Sequence, residues 1–201
     1  MGDKKILWVD VETSGLDPSE NGIVQLAGMI DVNGVTAAEF NFEVAPIEGD
    51  VINEESLAVS GRTLDKVIAY PPAASVHHEL VSILEKHIKK FDRNDKAYFG
   101  AFNAKFDLDF VSAWFKKLND KYLGSWINWR CVDAYPYLQM QEYLGLVDLP
   151  NLKLVTVAEH FGIELQAHDA LSDVRAARAL GYQALTMISS DRRITPTEGA
   201  I

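Results

Sequence analysis

Apolar positions along this chain follow two different rhythms. Residues 6–9 form an unbroken apolar run that gives way to Asp10, Val11 and Glu12 before a Gly15 turn, the profile of a buried strand reaching an edge. Residues 23–31 and 38–44 predict a second and third strand, and Asn33-Gly34 between them favours a hairpin, so the first third of the chain reads as an antiparallel meander. Residues 56–70 mix helical spacing with Gly61-Arg62-Thr63 and stop at Pro71-Pro72. From 74 to 90 the apolar residues recur at three and four, through Val76, Leu80, Ile83, Leu84 and Ile88, which predicts an amphipathic helix.

Beyond that helix strands and helices alternate. Residues 97–102 predict a fourth strand, and 104–118 a helix with Leu108, Val111, Trp114, Phe115 and Leu118 inward. A fifth strand covers 127–132, and Asp133 caps a helix to about 144. A short helix runs from 151 or 152 to 160 and ends at Gly162. A last helix covers about 170–188, its stripe of Ala170, Val174, Ala177, Gly181 and Ala184 small enough to lie close to a sheet. The expected fold class is α/β, a five-stranded mixed sheet in which an antiparallel meander is joined by parallel strands and flanked by helices.

With 201 residues, 48% hydrophobic, the chain can bury one substantial core, so a single domain over 1–188 with a polar tail at 189–201 is expected. The lone Cys131 forms no internal disulfide and fits a reducing compartment. No uncharged stretch is long enough to cross a bilayer, and no membrane partner is expected. The start has no secretory pattern, and Ile6 stands where a myristoylation signal would need Ser or Thr. A cytoplasmic protein is expected. The formal charge of -10 argues against gripping long duplex nucleic acid through a basic face. Two divalent ions would add four positive charges, bring -10 to -6, and reverse the field where they sit.

Candidate chemistry gathers at the ends of elements. Asp10 and Glu12 are two apart and share one face of their strand. Such a pair can simply end in solvent; buried, it persists only with a cation between the charges, and hard carboxylate oxygens suit Mg2+ or Mn2+. Asn103, read as a helix N-cap, precedes Asp107 by four residues on the same side of the first turn. If the fourth strand runs parallel beside the first, both C-terminal ends open onto one crevice and Asp107 approaches Asp10 and Glu12. Asp107 read alone is equally a carboxylate favoured by the helix dipole. His168 precedes the last helix, Asp169 caps it, and Asp173 lies in its first turns.

Taken together, Asp10-x-Glu12-Thr13, Asn103-x-x-x-Asp107 and His168-x-x-x-x-Asp173 resemble the three motifs of the DEDDh 3'-5' exonucleases, the DnaQ-like family of the polymerase III proofreading subunit. They stand in that family's order from first strand to last helix. The resemblance implies a ribonuclease H-like fold and a metal-dependent exonuclease releasing nucleoside 5'-monophosphates from a 3' end. Single-stranded DNA is the expected substrate, with short RNA as the alternative and a polymerase or other replication protein as a possible partner. It further implies two ions per site, with Asp10, Glu12 and Asp173 on the first, Asp10 bridging to the second and Asp107 acting through water. His168 would take a proton from the attacking water. Thr13, Leu16 and Asn103 would touch the terminal nucleotide, Leu16 as an apolar wedge against its base. Phe102 departs from the family pattern, where a histidine is common. A reading from another class is a non-catalytic nucleic-acid-binding or assembly subunit with the same fold.

Overall fold

Val32 and Val35 face each other across Asn33-Gly34, and both turn residues take positive φ, 53° and 85°. That two-residue geometry matches the twist of a hairpin. It joins β2 (Ile23–Val32) to β3 (Val35–Glu43), and β2 pairs antiparallel on its other side with β1 (Lys5–Thr13). The computed structural model describes residues 2–166 and 169–190. β4 (Ala97–Ala101) lies parallel beside β1, and β5 (Ile127–Asp133) lies parallel beside β4, which gives the sheet order β3-β2-β1-β4-β5. The expected mixed five-stranded sheet is therefore present, with β1 at its centre.

Alternation along β1 sends its side chains into two different cores. Leu7, Val9 and Val11 pack with residues of α3 (Ala73–His87) and α4 (Ala104–Lys117), among them Leu80, Leu84, Phe110 and Trp114. Ile6 and Trp8 face the other way, against Ala27 and Met29 of β2 and against Ala170 and Val174 of the last helix, α7 (Ala170–Ser190). Asp10 and Glu12 continue this second row. The small stripe on α7 serves Trp8: a Cβ on Gly181 would sit 2.3 Å from the indole, and one on Gly100 2.4 Å from it. Trp8 is fully buried between these glycines, and its Nε1 donates to Asp31 at 3.0 Å. Asp31 also accepts from Arg178 Nε and Tyr182 Oη of α7, both at 2.8 Å, so one buried carboxylate joins β1 to α7 through β2.

Several boundaries differ from the sequence expectation. The segment after the meander is two short helices, α1 (Glu54–Val59) and α2 (Leu64–Val67), separated at Gly61, whose φ of 67° ends the first. Asn53 caps α1, its Oδ1 accepting from Glu55 and Ser56 N–H. The helix expected from 151 or 152 begins later, as α6 (Leu154–His160), because Asn151 uses its Oδ1 on Lys153 N–H and Thr156 Oγ1 ahead of the first turn. α5 (Ala134–Tyr143) starts where expected, with Asp133 accepting from Tyr135 N–H at 2.9 Å. α7 runs two residues past the expected 188, and the rest of the polar tail, 191–201, lies outside the described residues. Among the described residues no helix is long and apolar enough to cross a membrane.

Candidate active site

Asp10, Glu12 and Asp173 come together at the C-terminal end of β1. Each offers a carboxylate oxygen, and the three oxygens lie within 4.8 Å of one another. Two come from adjacent same-face positions of the central strand; the third comes from the first turn of α7, which the Trp8–Gly181 contact seats directly over that face. Asp169 prepares this turn: its Oδ2 accepts from Ser172 N–H at 3.2 Å and its carbonyl from Asp173 N–H at 3.0 Å. Asp169 thus caps the first turn with its side chain. His168 and Ala167 lie outside the described residues.

Asp107 approaches from the opposite layer. The pairing of β4 with β1 ends at Trp8 and Gly100, so Val11 lies beyond the last strand partner on that side. Asp107 Oδ1 accepts from Val11 N–H at 3.0 Å and so bridges the first turn of α4 to the strand between Asp10 and Glu12. It is buried, yet it is not one of the three clustered ligands. Asn103 is a correction: it takes the N-cap position with φ 63° and ψ 52°, and its side chain caps nothing. Its left-handed backbone turns the side chain away, and Asp133 supplies the cap instead, accepting from Asn103 N–H at 3.0 Å and Ala104 N–H at 2.8 Å. The expectation for Asp133 was therefore incomplete, since it caps two helix starts.

Burial and mutual repulsion act in the same direction on these carboxyls. Asp10 is pushed well above the usual carboxylate range, first by burial and then by Asp107, Asp173, Glu12 and Asp169. Asp107 is raised to about 8 by burial; the Val11 and Asp107 backbone N–H groups oppose this, and Asp133 and Glu12 add to it. Asp173 is raised to about 7 by burial, then by Glu12 and Asp169. Asp173 Oδ1 is buried with no hydrogen-bond partner, an arrangement that costs about 1–3 kcal/mol unless something fills it. An all-oxygen donor set with repelling charges and an orphaned acceptor fits a divalent cation such as Mg2+ or Mn2+.

The loop after β1 continues from the strand end that carries Glu12. Ser14 is buried, donating from Oγ to Val51 O at 2.8 Å and accepting from Gly22 N–H at 2.9 Å. A Cβ on Gly15 would fall 2.3 Å from the Asn21 side chain, so this turn requires glycine. Thr13 Oγ1 donates to Gly15 O at 2.6 Å, and Leu16 is 80% exposed, an apolar side chain standing in solvent. Phe102 packs edge-on to Tyr135 with ring centroids 5.5 Å apart. Asp31, which no motif of the sequence singles out, is a structural carboxylate that ties β1 and α7 together. It falls in phase with Ala27 and Met29 on the α7 face of β2, as Gln25 does.

Three half-buried carboxylates thus converge at the end of the central strand of a mixed five-stranded sheet, a donor set compatible with a divalent cation. Residues 7–180 match the exonuclease family RNase_T, and the chain belongs to it. Ribonuclease T of Actinobacillus pleuropneumoniae is 32% identical over 120 residues, 56% of this chain and 54% of that protein. The PolC-type DNA polymerase III of Thermotoga maritima is 26% identical over 176 residues, 87% of this chain but 11% of the polymerase. The chain thus spans about half the length of the ribonuclease T relative or less of these proteins. Exonuclease I of E. coli in complex with a dT13 oligonucleotide shares the fold, with a TM-score of 0.72 over 91% of this chain and 41% of that one at 20% identity.

Proposed function

We propose that this protein is a metal-dependent 3'-5' exonuclease that removes nucleoside 5'-monophosphates from single-stranded ends. One observation supports it above the rest: three repelling carboxylates, one with a buried unpartnered oxygen, lie at the mouth of the central strand. A non-catalytic binding subunit would gain nothing from maintaining that repulsion. Asp10, Glu12 and Asp173 would hold a divalent ion, Asp10, which feels the charges of Asp107, Asp173, Glu12 and Asp169, would also serve a second, and Asp107 would act through water. Such ions stabilise the charge that develops on the attacking and leaving oxygens of an in-line displacement. His168, in the approach to α7, would accept the proton of the attacking water, as an imidazole with an ordinary value near 6.5 can at neutral pH. Leu16 would wedge against the terminal base, with Thr13 and Asn103 beside the sugar.

Single-stranded DNA is the first substrate reading, supported by the fold shared with an exonuclease crystallised on oligothymidylate. RNA 3' ends are the second, supported by the relatives named ribonuclease T. The match within a PolC-type polymerase makes a polymerase partner a further proposal. The test is parallel digestion of 3'-labelled single-stranded DNA, duplex DNA and short RNA with and without Mg2+. Release of mononucleotides from free 3' ends is expected, while a 3' block should protect and a 5' block should not. Internal cuts in a circular single strand, or no Mg2+-dependent hydrolysis of any of the three, would overturn the proposal.

A further inference from the structure

Arg62 is held against Gln25 of β2 without an ion pair. It lies in the turn between α1 and α2, after Gly61, and its neighbours pack against the end of β2. Val24, where the β1–β2 register slips, is buried with Leu57 of α1 and Val67 of α2, while Asn53 N–H, at the start of α1, donates to Ser14 O at 2.8 Å. The α1–α2 unit is thereby fixed to the strand ends that carry the carboxylates. Gln25 lies between two carboxylates in the sheet, as the strand partner of Glu12 on β1 and of Glu43 on β3. Directly opposed residues in an antiparallel pair share a face, with Cβ atoms about 5 Å apart. Gln25 Nε2 donates to Asn41 Oδ1 at 2.8 Å, which leaves Gln25 Oε1 to accept from Arg62 Nη2. Arg62 Nη1 donates to Ser60 O at 3.1 Å.

Both of these acceptors are neutral. Among the described residues Arg62, like Arg93 and Arg130, makes no ion pair, and its Nε alone among the arginines is buried with no partner. A guanidinium carries five N–H donors in a rigid fork matched to phosphate oxygens, and Asn41 and Gln25 hold this one in a fixed orientation. In a protein of formal charge -10, an oriented cation hydrogen-bonded to the strand partner of Glu12 and in no ion pair can draw a polyanion toward the strand end that carries the carboxylates.

We infer that Arg62 binds a backbone phosphate of the strand being degraded, with Gln25 as the residue that positions it. This rests on the exonuclease reading. The test uses the full chain with single-stranded oligothymidylate, comparing Arg62→Ala and Arg62→Lys with the parent. Losing a charge-assisted hydrogen bond to phosphate should raise KM about 10- to 100-fold in Arg62→Ala, with kcat close to the parent's. Binding by Arg62→Ala measured in an Asp10→Asn background, where hydrolysis is blocked, should lose about 0.7 from the slope of log K against log salt, the signature of one fewer phosphate neutralised on a single strand. Arg62→Lys keeps the charge and should keep the slope. Mg2+ titration should match the parent in both variants, while Arg62→Ala should melt somewhat lower because the buried Gln25 Oε1 loses its donor. An unchanged slope in Arg62→Ala, whether or not affinity falls, would overturn the inference, as would equal losses in both variants together with a lower melting temperature. Failure of the exonuclease reading looks different, because the parent itself would then not hydrolyse the substrate.

Discussion

Asp107→Asn isolates the cost of burying charge at this site. The amide keeps an oxygen to accept from Val11 N–H, so the contact between α4 and β1 survives while the ionisable group is lost. In the parent, burial raises Asp107 to about 8, against about 3.9 in an unfolded chain. The folded protein therefore binds more protons than the unfolded one between about pH 4 and pH 8, and metal-free stability falls as pH rises through that window. At about 1.4 kcal/mol per pH unit the ceiling is about 6 kcal/mol; water entering the crevice and relaxation around the charge bring it to on the order of 2 kcal/mol. Asp173, raised to about 7, contributes a similar loss in both proteins and cancels in the comparison. The assay is unfolding in EDTA at pH 4.5 and pH 9 for parent and variant. The parent should lose on the order of 2 kcal/mol more than Asp107→Asn, about 4–8 °C in melting temperature for a chain of this size. Added Mg2+ should restore the parent most at the higher pH, where the carboxyls are already ionised. Parallel pH profiles for the two proteins would refute the idea that Asp107 is buried at an electrostatic cost.

Other variants test the scaffold and the chemistry. Gly181→Ala puts a methyl 2.3 Å from the Trp8 ring and should destabilise by about 1–3 kcal/mol while displacing Asp173, so urea unfolding and Mg2+ titration should both weaken; an unaltered Mg2+ affinity would separate α7 seating from the metal site. Asp133→Ala removes the acceptor at the starts of α4 and α5 and should cost about 1 kcal/mol for each, read as a lower melting temperature. Asp10→Ala, Glu12→Ala and Asp173→Ala should each abolish Mg2+-dependent hydrolysis while raising metal-free stability, and near-parent turnover in any of them would remove that residue from the site. His168→Ala should lower the hydrolytic rate about 10²- to 10⁴-fold and flatten the acidic limb of the pH profile with Mg2+ affinity retained, whereas rescue by excess metal would make it a ligand.

Much of this arrangement is local and therefore readable from the chain. The two-residue spacing of Asp10 and Glu12 places them on one face of any strand, Asn33-Gly34 dictates its own turn, and the repeat of small residues from Ala170 to Ala184 marks a helix that must lie close to something large. What that large thing is depends on residues distant in sequence: Trp8 fits under α7 only because Gly100 and Gly181 come from two other elements. The same holds for charge. A sequence shows Asp107 as a carboxylate in a first helical turn, but only the end of the β4 pairing leaves the Val11 N–H open for it, and only burial raises it. Asn103 misled because capping preference is a local propensity, while the left-handed backbone it adopts and the carboxylate that replaces it belong to the junction with β5. Arg62 has an ordinary identity in an ordinary turn. Its lack of an ion pair is decided by which side chains the sheet register puts beside it, and register is a long-range property of the fold.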